Sequence, residues 1–358
     1  MISIDVASSM TDTDQTTGRV IDGRESGRTK TARVDVLIAA RNCADTIERA
    51  VLSALSQDDV RAVIVVDDGS TDDTAIRAKE CDHDGTRVIV ERLPACRGPS
   101  AARNAAIEIS TAPWLAILDG DDFFLPGRIA NLLTWADAWD FIADDLLQVP
   151  EDNLGGEPQT RLFRDQRSEP SPICLEQFVR GNISQRGKLR KELGFIKPLM
   201  RRSFLQQHGL RYDPSLRLGE DYALYARALV AGARFLLVPT AGYVSTLRSN
   251  SLSGRHSKQD LELLRDSDCQ LMSVERLTPS ERRALSAHYW SVDCRVQWLA
   301  VIEAVKRRDV VGFLTPFCRS PRVSGYLIQC LALELADRSK RAYFRASKKD
   351  RWRTTPST

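Results

Sequence analysis

Acidic side chains are grouped at three places in the sequence, and carboxylates can both bind divalent cations and accept protons. The groups are Asp67-Asp68, Asp119-Gly120-Asp121-Asp122 and Glu220-Asp221. Carboxylates within a few ångströms of one another raise each other's pKa values, and a divalent cation relieves that repulsion. Oxygen ligands suit Mg²⁺ or Mn²⁺, and Mg²⁺ is usually held by one or two carboxylates together with substrate phosphates. The Asp-x-Asp pair therefore predicts a metal–diphosphate site. The alternative is a solvated acidic turn that caps the next helix.

Two of the acidic groups directly follow short apolar segments that have the character of buried strands. Four such segments occur in the first third of the chain, at residues 34–40, 62–66, 88–90 and 114–118. Helical patterns separate them, the first with Ile47, Val51 and Leu55 on one face. This alternation implies a parallel sheet with helices on both faces. Ligands bind at the carboxyl ends of the strands in such sheets, so residues 67–68 and 119–122 should share one rim.

Composition excludes several classes of protein. The net charge of +3 gives no case for nucleic-acid binding, so we expect no nucleic-acid partner. The sequence has no apolar stretch of the ~20 residues that span a bilayer, and it does not begin as a secretory signal does. Its eight cysteines are scattered and form no CxxC pair. They predict free thiols in a reducing cytoplasm rather than a zinc site or a disulfide framework.

Five motifs in sequence order resemble those of the family 2 glycosyltransferases. They are Ala40-Arg41-Asn42, the DDGS turn at 67–70, RGPSAARN at 97–104, DGDD at 119–122 and GED at 219–221. The resemblance covers about residues 34–250. It implies the GT-A fold, a Rossmann-like nucleotide-diphospho-sugar transferase fold with a mostly parallel central sheet, here with a helical C-terminal region. The wider pattern, including residues 194–202 and 210–229, looks like bacterial exopolysaccharide glucosyltransferases of the succinoglycan type.

The resemblance also implies a donor site. Asp68 or Asp67 would accept a hydrogen bond from the uracil ring, with Ala40 and Asn42 close to the base. Arg103 would counter phosphate charge, a surface salt bridge being the alternative, and Asp119 would reach the ribose.

A metal and the donor sugar follow from the same resemblance. Asp121 would bind Mn²⁺ or Mg²⁺, and Asp122 would orient a metal-bound water or a hydroxyl of the donor sugar. His256, in a loop that resembles one closing over the diphosphate, is a candidate further ligand; an exposed loop residue is the alternative.

Inversion at the anomeric carbon needs a base within hydrogen-bond reach of the acceptor hydroxyl. By resemblance that base is Asp221, with Glu220 beside it binding the acceptor or positioning the turn. The structural alternative for Asp221 is the N-cap of a helix over 222–230. Lys197, Arg201 or Arg202 would meet an anionic acceptor; for the two arginines a surface role is the alternative.

Three regions are predicted: a disordered polar leader at 1–33, a GT-A catalytic domain at 34–257 and a helical C-terminal extension at 258–358. The extension ends in a basic tail from Arg338 to Arg353 that could rest on anionic lipid, the alternative being a solvated charged face. The resemblance implies a UDP-sugar donor, with glucose as the sugar. It also implies a lipid-linked oligosaccharide acceptor and a cytoplasmic location, peripheral to the inner membrane.

Two other functions compete with this one. A metal-dependent nucleotidyltransferase that makes a nucleotide sugar also uses an α/β sheet, but its Gly-rich loop with Arg and Lys is missing after the first strand. A non-catalytic nucleotide-sugar-binding relative would be expected to lose an acid from DGDD or GED, and all of those acids are present.

Overall fold

The computed structural model describes residues 33–153, 160–162, 169–183, 193–247 and 256–351, with backbone alone over 340–351. The strands are β1 Val34–Ala40, β2 Val60–Asp67, β3 Val88–Arg92, β4 Trp114–Asp119, β5 Phe123–Phe124, β6 Phe141–Pro150, β7 Thr160–Arg161, β8 Ser171–Ile173, β9 Leu199–Arg201 and β10 Phe235–Leu247. The helices are α1 Ile47–Leu55, α2 Thr74–Glu80, α3 Pro99–Ile109, α4 Arg128–Leu133, α5 Leu175–Gly181, α6 Arg202–Gln207, α7 Glu220–Val230, α8 Lys258–Met272, α9 Pro279–Arg307, α10 Val310–Leu314 and α11 Pro321–Arg351.

One sheet contains all of these strands, in the order β3-β2-β1-β4-β9-β6-β10-β5, with β7 beside β6 and β8 beside β10. The long pairings, β1 with β2 and β4, β2 with β3, and β6 with β10, are parallel. The antiparallel pairings each join only two or three residues on a strand. The predicted fold class is confirmed, and the four predicted strands differ from the observed ones by two residues at most at either end.

The sheet is buried on both faces because its central strands are apolar at consecutive positions. In β1, Val36 and Ile38 belong to one apolar core, and Leu37, between them, belongs to the other. The inward face of α1, with Ile47 and Val51, packs in the first core. Helices α3, α5 and α7 contribute to the second core. The sheet therefore holds the loops at its carboxyl edge on a rigid base.

The C-terminal helices α8 and α9 join the second core. Leu264 and Leu285 are buried in the same cluster as Phe178 of α5 and Tyr222 of α7. The far half of α9 packs with α11 around a smaller cluster that includes Val301 and Leu327. Within the described ranges, none of the helices is long and apolar enough to cross a membrane. The predicted leader, apart from residue 33, and the side chains of the basic tail beyond Ser339 lie outside the described residues.

Candidate active site

The DGDD turn (residues 119–122) begins at the last residue of β4, and side chains from distant elements hold its backbone. The hydroxyl of Thr46 donates to the carbonyl of Gly120 at 2.8 Å. The hydroxyl of Thr246, at the end of β10, donates to the carbonyl of Asp121 at 2.8 Å. With its backbone fixed in this way, the turn holds the carboxylates of Asp119 and Asp121 at the rim of the sheet.

Asp122 is buried behind the turn rather than exposed at the rim. Its carboxylate accepts from the hydroxyl of Tyr243 and from the backbone N–H of Thr246, each at 2.8 Å. Burial, and then repulsion from Asp119 and Asp121, raises the pKa of Asp122 to about 8. The carboxylates of this turn are thus close enough to repel one another, and a bound cation relieves such repulsion.

Five charged side chains form one buried network beside the turn. The guanidinium of Arg103, on α3, donates to Asp119 at 2.8 Å and to Glu220 at 2.9 Å. The ammonium of Lys197 lies 3.0 Å from the other oxygen of Asp119 and 2.7 Å from Asp221. Residues from four separate segments of the chain therefore meet at one point. Arg103 is buried here, so the alternative of a surface salt bridge for it is wrong.

The charges in this network stabilise one another. Burial alone would raise the pKa of Asp119, but Lys197 and Arg103 outweigh it and hold that pKa well below its usual range. Burial alone would lower the pKa of Lys197, but Asp119 and Asp221 outweigh it and raise that pKa. The ammonium of Lys197 is therefore engaged with two carboxylates, and its expected contact with an anionic acceptor stays a prediction.

The N-terminus of α7 places the two acids of the GED motif. Gly219 precedes the helix with a φ of 72°, and Glu220 and Asp221 are its first two residues. Asp221 is thus inside the helix, and the alternative that it caps a helix over 222–230 is wrong. Its side chain instead faces Lys197 and the hydroxyl of Tyr225, which donates to it at 3.4 Å.

In the DDGS turn both acids are occupied by contacts within the protein. The carboxylate of Asp68 accepts from the backbone N–H groups of Arg97 and Gly98 at 2.6 and 2.9 Å. Asp67 is fully buried and accepts from the backbone N–H of Ser70 at 2.9 Å. Asp68 thus binds the turn to the loop before α3, and Asp67 closes the turn itself. The expected contact of either carboxylate with a uracil ring stays a prediction.

The loop after β1 is held against the same turn. The carbonyl of Ala40 accepts from the backbone N–H of Asp68 at 2.8 Å. Asn42 has a left-handed backbone, with a φ of 50°, and its side-chain oxygen accepts from the N–H of Thr71 at 2.9 Å. Asn42 is exposed, whereas Ala40 is buried. Of these two predicted base contacts, Asn42 is the one whose side chain reaches the surface.

The side chains at the DGDD turn suit a metal ion that is coordinated partly by the protein and partly by a bound diphosphate. Within the described ranges, no three His, Cys, Asp or Glu side chains are grouped so as to hold a metal by themselves. Half-buried Asp121 lies beside Asp122, whose pKa is raised by burial and then by repulsion from Asp119 and Asp121. Asp121 fits the arrangement of one or two carboxylates plus substrate phosphates. His256 is half-buried just before α8, and its role as a ligand stays a prediction.

Arg128 and Tyr243 support the site, and the sequence motifs do not predict either of them. The guanidinium of Arg128 pairs with buried Asp144 at 2.7 Å and donates to the carbonyl of Lys197, also at 2.7 Å. The hydroxyl oxygen of Tyr243 accepts from the N–H of Asp119 at 3.1 Å. No local pattern marks Arg128 or Tyr243, because each acts on a partner more than 60 positions away in the chain.

Comparison of the sequence with known proteins shows which family the chain belongs to. The family model described as "Glycosyl transferase family 2" matches residues 35–203. The succinoglycan biosynthesis protein ExoU of Rhizobium meliloti is 49% identical over 257 residues, which are 71% of this chain and 74% of ExoU. The succinoglycan biosynthesis protein ExoO of the same organism is 32% identical over 87% of each chain. The Escherichia coli UDP-Glc:alpha-D-GlcNAc-diphosphoundecaprenol beta-1,3-glucosyltransferase WfaP is 42% identical over 100 residues, which are 27% of this chain and 39% of WfaP.

Solved structures share the fold at low sequence identity. The S. aureus protein TarS (residues 1–349), in complex with UDP-GlcNAc, matches with a TM-score of 0.55 and 17% identity over 78% of this chain and 89% of that 1–349 chain. A mannosyltransferase from Pyrobaculum calidifontis, in complex with GDP-Man and Mn²⁺, matches with a TM-score of 0.52 and 17% identity over 91% of this chain and 88% of its own. These matches show the shared fold, and the sequence relatives decide between glycosyl transfer and nucleotidyl transfer. The chain belongs to glycosyl transferase family 2 and is a glycosyltransferase.

Proposed function

We propose that this enzyme transfers glucose, with inversion, from UDP-glucose to a lipid-linked oligosaccharide during exopolysaccharide biosynthesis. The similarity to ExoU and ExoO supports the process, and the name of WfaP supports the donor and an acceptor carried on a lipid diphosphate. Such an acceptor implies that the enzyme works at the cytoplasmic face of the inner membrane. The observation that carries the proposal is the buried network in which Asp221, Asp119, Lys197 and Arg103 meet beside the DGDD turn.

In this proposal Asp221 is the base. Its carboxylate takes the proton of the acceptor hydroxyl as the acceptor oxygen attacks the anomeric carbon, and the bond to the departing diphosphate breaks on the opposite face. Lys197 and Tyr225 hold this carboxylate in place, since both donate to it. Glu220 is tied to Arg103 at 2.9 Å and positions the start of α7.

The charge of the departing UDP requires positive partners near Asp119. Arg103 and Lys197 are the cations at this place, and both are already oriented by Asp119. Mn²⁺ or Mg²⁺, bound through Asp121 and the donor diphosphate, would supply Lewis-acid stabilisation of the leaving group. Asp122, held behind the turn by Tyr243 and Thr246, would set the position of Asp121. Through Asp121 it would orient a metal-bound water or a hydroxyl of the donor sugar.

A cleft behind the GED turn is the proposed acceptor site. It lies between α7 and the C-terminal helices, with a volume of about 70 Å³, room for several ordered waters. Gly194, Phe195, Gly219, Tyr222, His288 and Ser291 are among its lining residues. Two of the lining segments adjoin the charged network along the chain. Phe195 is two residues from Lys197, and Gly219 is two residues from Asp221. Pockets that enclose a whole ligand are several times larger, so this cleft would take only the edge of a sugar unit against its aromatic wall.

The cleft is held rigid by a buried polar triad. Asp268 of α8 is fully buried and accepts from the hydroxyl of Tyr222 at 2.8 Å. Its other carboxylate oxygen lies 2.7 Å from Nδ1 of His288, on α9. The triad connects α7, the helix that carries Asp221, to α8 and α9. The proposed acceptor site therefore depends on residues beyond the segment that matches the family model.

The role of Asp221 can be tested by Asp221→Asn. We expect kcat for transfer from UDP-glucose to fall by at least about 10²-fold, because the amide cannot take the proton, while UDP affinity stays unchanged. Asp266→Asn is the matched control, since Asp266 is exposed on α8 and lies outside the site. An Asp221→Asn enzyme as active as the control would remove Asp221 as the base.

The metal and the nucleotide can be tested by calorimetry. We expect the wild-type protein to bind UDP in preference to GDP and ADP, and to need Mn²⁺ for tight binding. Asp121→Ala should weaken UDP binding in Mn²⁺ and hardly change it in EDTA. Equal losses in both conditions would indicate a folding defect instead, and metal-independent UDP binding by the wild type would contradict the metal site.

A further inference from the structure

The end of α9 and the short helix α10 carry apolar side chains that face solvent. Val305, Val310, Val311 and Leu314 are 57%, 70%, 75% and 55% exposed. They are four of the twelve large exposed hydrophobic side chains in the described part of the chain, and they lie within ten residues. We call residues 305–314 the α9–α10 tip. A concentration of this kind marks a contact surface, whereas single exposed apolar residues are ordinary.

The local structure keeps these side chains outward. Arg308 ends α9 in a left-handed conformation with a φ of 57°, which turns the chain. The carboxylate of Asp309 accepts from the N–H of Gly312 at 2.9 Å and starts α10. Phe313 packs inward against Phe317, with 5.5 Å between their ring centroids. Because Phe313 supplies the inward contact, the remaining apolar residues of the tip are left on the surface.

The charges beside the apolar residues indicate what the tip contacts. Lys306, Arg307 and Arg308 are exposed, and no ion pair engages them within the described residues. Asp309, the acid of the tip, is engaged in the helix cap. Apolar side chains flanked by cations suit the surface of an anionic bilayer, where the apolar groups enter the headgroup boundary. A second copy of this chain would instead bring the same cations together, which is unfavourable.

We propose that the α9–α10 tip docks on an anionic lipid bilayer. The surface is separate from the basic tail that begins at Arg338. Its purpose, bringing the active site to a lipid-linked acceptor, rests on the proposed function. The docking itself is measured without donor or acceptor, so its failure and the failure of the proposed function are distinguishable.

The experiment is co-sedimentation of the full chain with vesicles of phosphatidylcholine alone or with about 30% phosphatidylglycerol, enough to give the surface a negative potential. We expect the wild type to bind the anionic vesicles and not the neutral ones. The triple variant Val310→Ser, Val311→Ser, Leu314→Ser should lose at least about tenfold in vesicle affinity. The triple variant Lys306→Gln, Arg307→Gln, Arg308→Gln should lose about fivefold for each cation removed. Leu52→Ser with Ile76→Ser, exposed apolar residues of α1 and α2, is the matched control and should bind as the wild type does.

Several results would overturn the proposal. One is a wild-type chain that binds neither kind of vesicle, and another is a set of tip variants that bind as tightly as the control. Loss of binding in the charge variant alone would exclude insertion of the apolar side chains. Light scattering provides the last test: a wild-type dimer that the apolar variant converts to monomer, without vesicle binding, would assign the tip to a protein contact.

Discussion

Lys197 is the residue on which the charge balance of the site depends most directly. Its ammonium lies between Asp119 and Asp221, at 3.0 and 2.7 Å, in a place from which water is largely excluded. A buried ion pair adds little net stability, but removal of one partner leaves an uncompensated charge. The two carboxylates would then be left with Arg103 as their remaining cation in the network.

We therefore predict that Lys197→Met lowers the free energy of unfolding by about 3 kcal/mol. Lys258→Met is the control, because Lys258 pairs with Glu262 on the surface of α8 at 3.6 Å, and such pairs contribute less than about 1 kcal/mol. Urea unfolding of both variants gives the comparison. The double variant Lys197→Met, Asp221→Asn should recover part of the loss, since it also removes a charge that Lys197 compensated. Equal stability of the two single variants would contradict the prediction.

The sequence could place the acids of the site but not their partners. Asp119, Asp121 and Asp122 follow an apolar strand, and that pattern is local. Lysine is rarely buried, so the default expectation for Lys197 is an exposed side chain. The residues next to it in the sequence do not reveal that two carboxylates enclose it. The pairing depends on β9 lying beside β4, an antiparallel contact of three residues that no periodicity reveals.

At the scale of the element, the turn after β2 shows how backbone conformation fixes a binding loop. Gly69 has a φ of 68°, and a Cβ there would lie 2.9 Å from the backbone nitrogen of Cys96. Backbone cannot move away as a flexible side chain can. Glycine at this position thus lets Asp68 reach the N–H groups of Arg97 and Gly98.

Gly69→Ala should therefore be more destabilising than Gly209→Ala. Gly209 has a similar φ of 58°, but a Cβ added there would meet no atom of the described residues within 4 Å. Alanine at position 209 thus meets backbone strain alone, about 1–2 kcal/mol. At Gly69 the contact with Cys96 adds about 1–3 kcal/mol as overpacking. Thermal unfolding compares the two variants, and calorimetry should show weaker UDP binding for Gly69→Ala alone. Similar losses of stability at both positions would show that the loop moves freely.

The elements themselves divide into those that the sequence predicts and those that it does not. The long strands β1, β2 and β4 are predicted because buried parallel strands are continuous apolar runs. The strands β5, β7, β8 and β9 have two or three residues each, too few for a pattern, and their pairing partners define them. The helical character of the C-terminal region is predicted by spacing, but its docking on α7 through Asp268 and His288 is not.

At the scale of the whole molecule, the C-terminal helices belong to two different cores. Leu285, near the start of α9, is fully buried in the cluster that includes Tyr222 and the sheet. Leu327, on α11, is equally buried but in the small cluster with Val301 and Val323. A cavity in the first cluster weakens contacts on which the sheet depends. A cavity in the second weakens contacts among α9, α10 and α11, which lie away from the sheet.

Leu285→Ala and Leu327→Ala make the same chemical change at equal burial, and each should cost about 2–5 kcal/mol in the cluster that it touches. Hydrogen exchange followed by mass spectrometry separates the two cases, because exchange reports the opening free energy of each segment. Leu285→Ala should speed exchange in β1, β4 and α7 as well as in α9. Leu327→Ala should speed exchange in α11 and the end of α9 and leave the sheet protected. If Leu327→Ala also exposes the sheet, α11 is an integral part of the catalytic fold. The α9–α10 tip would then open only when the whole enzyme unfolds, rather than in a local opening of α9 to α11.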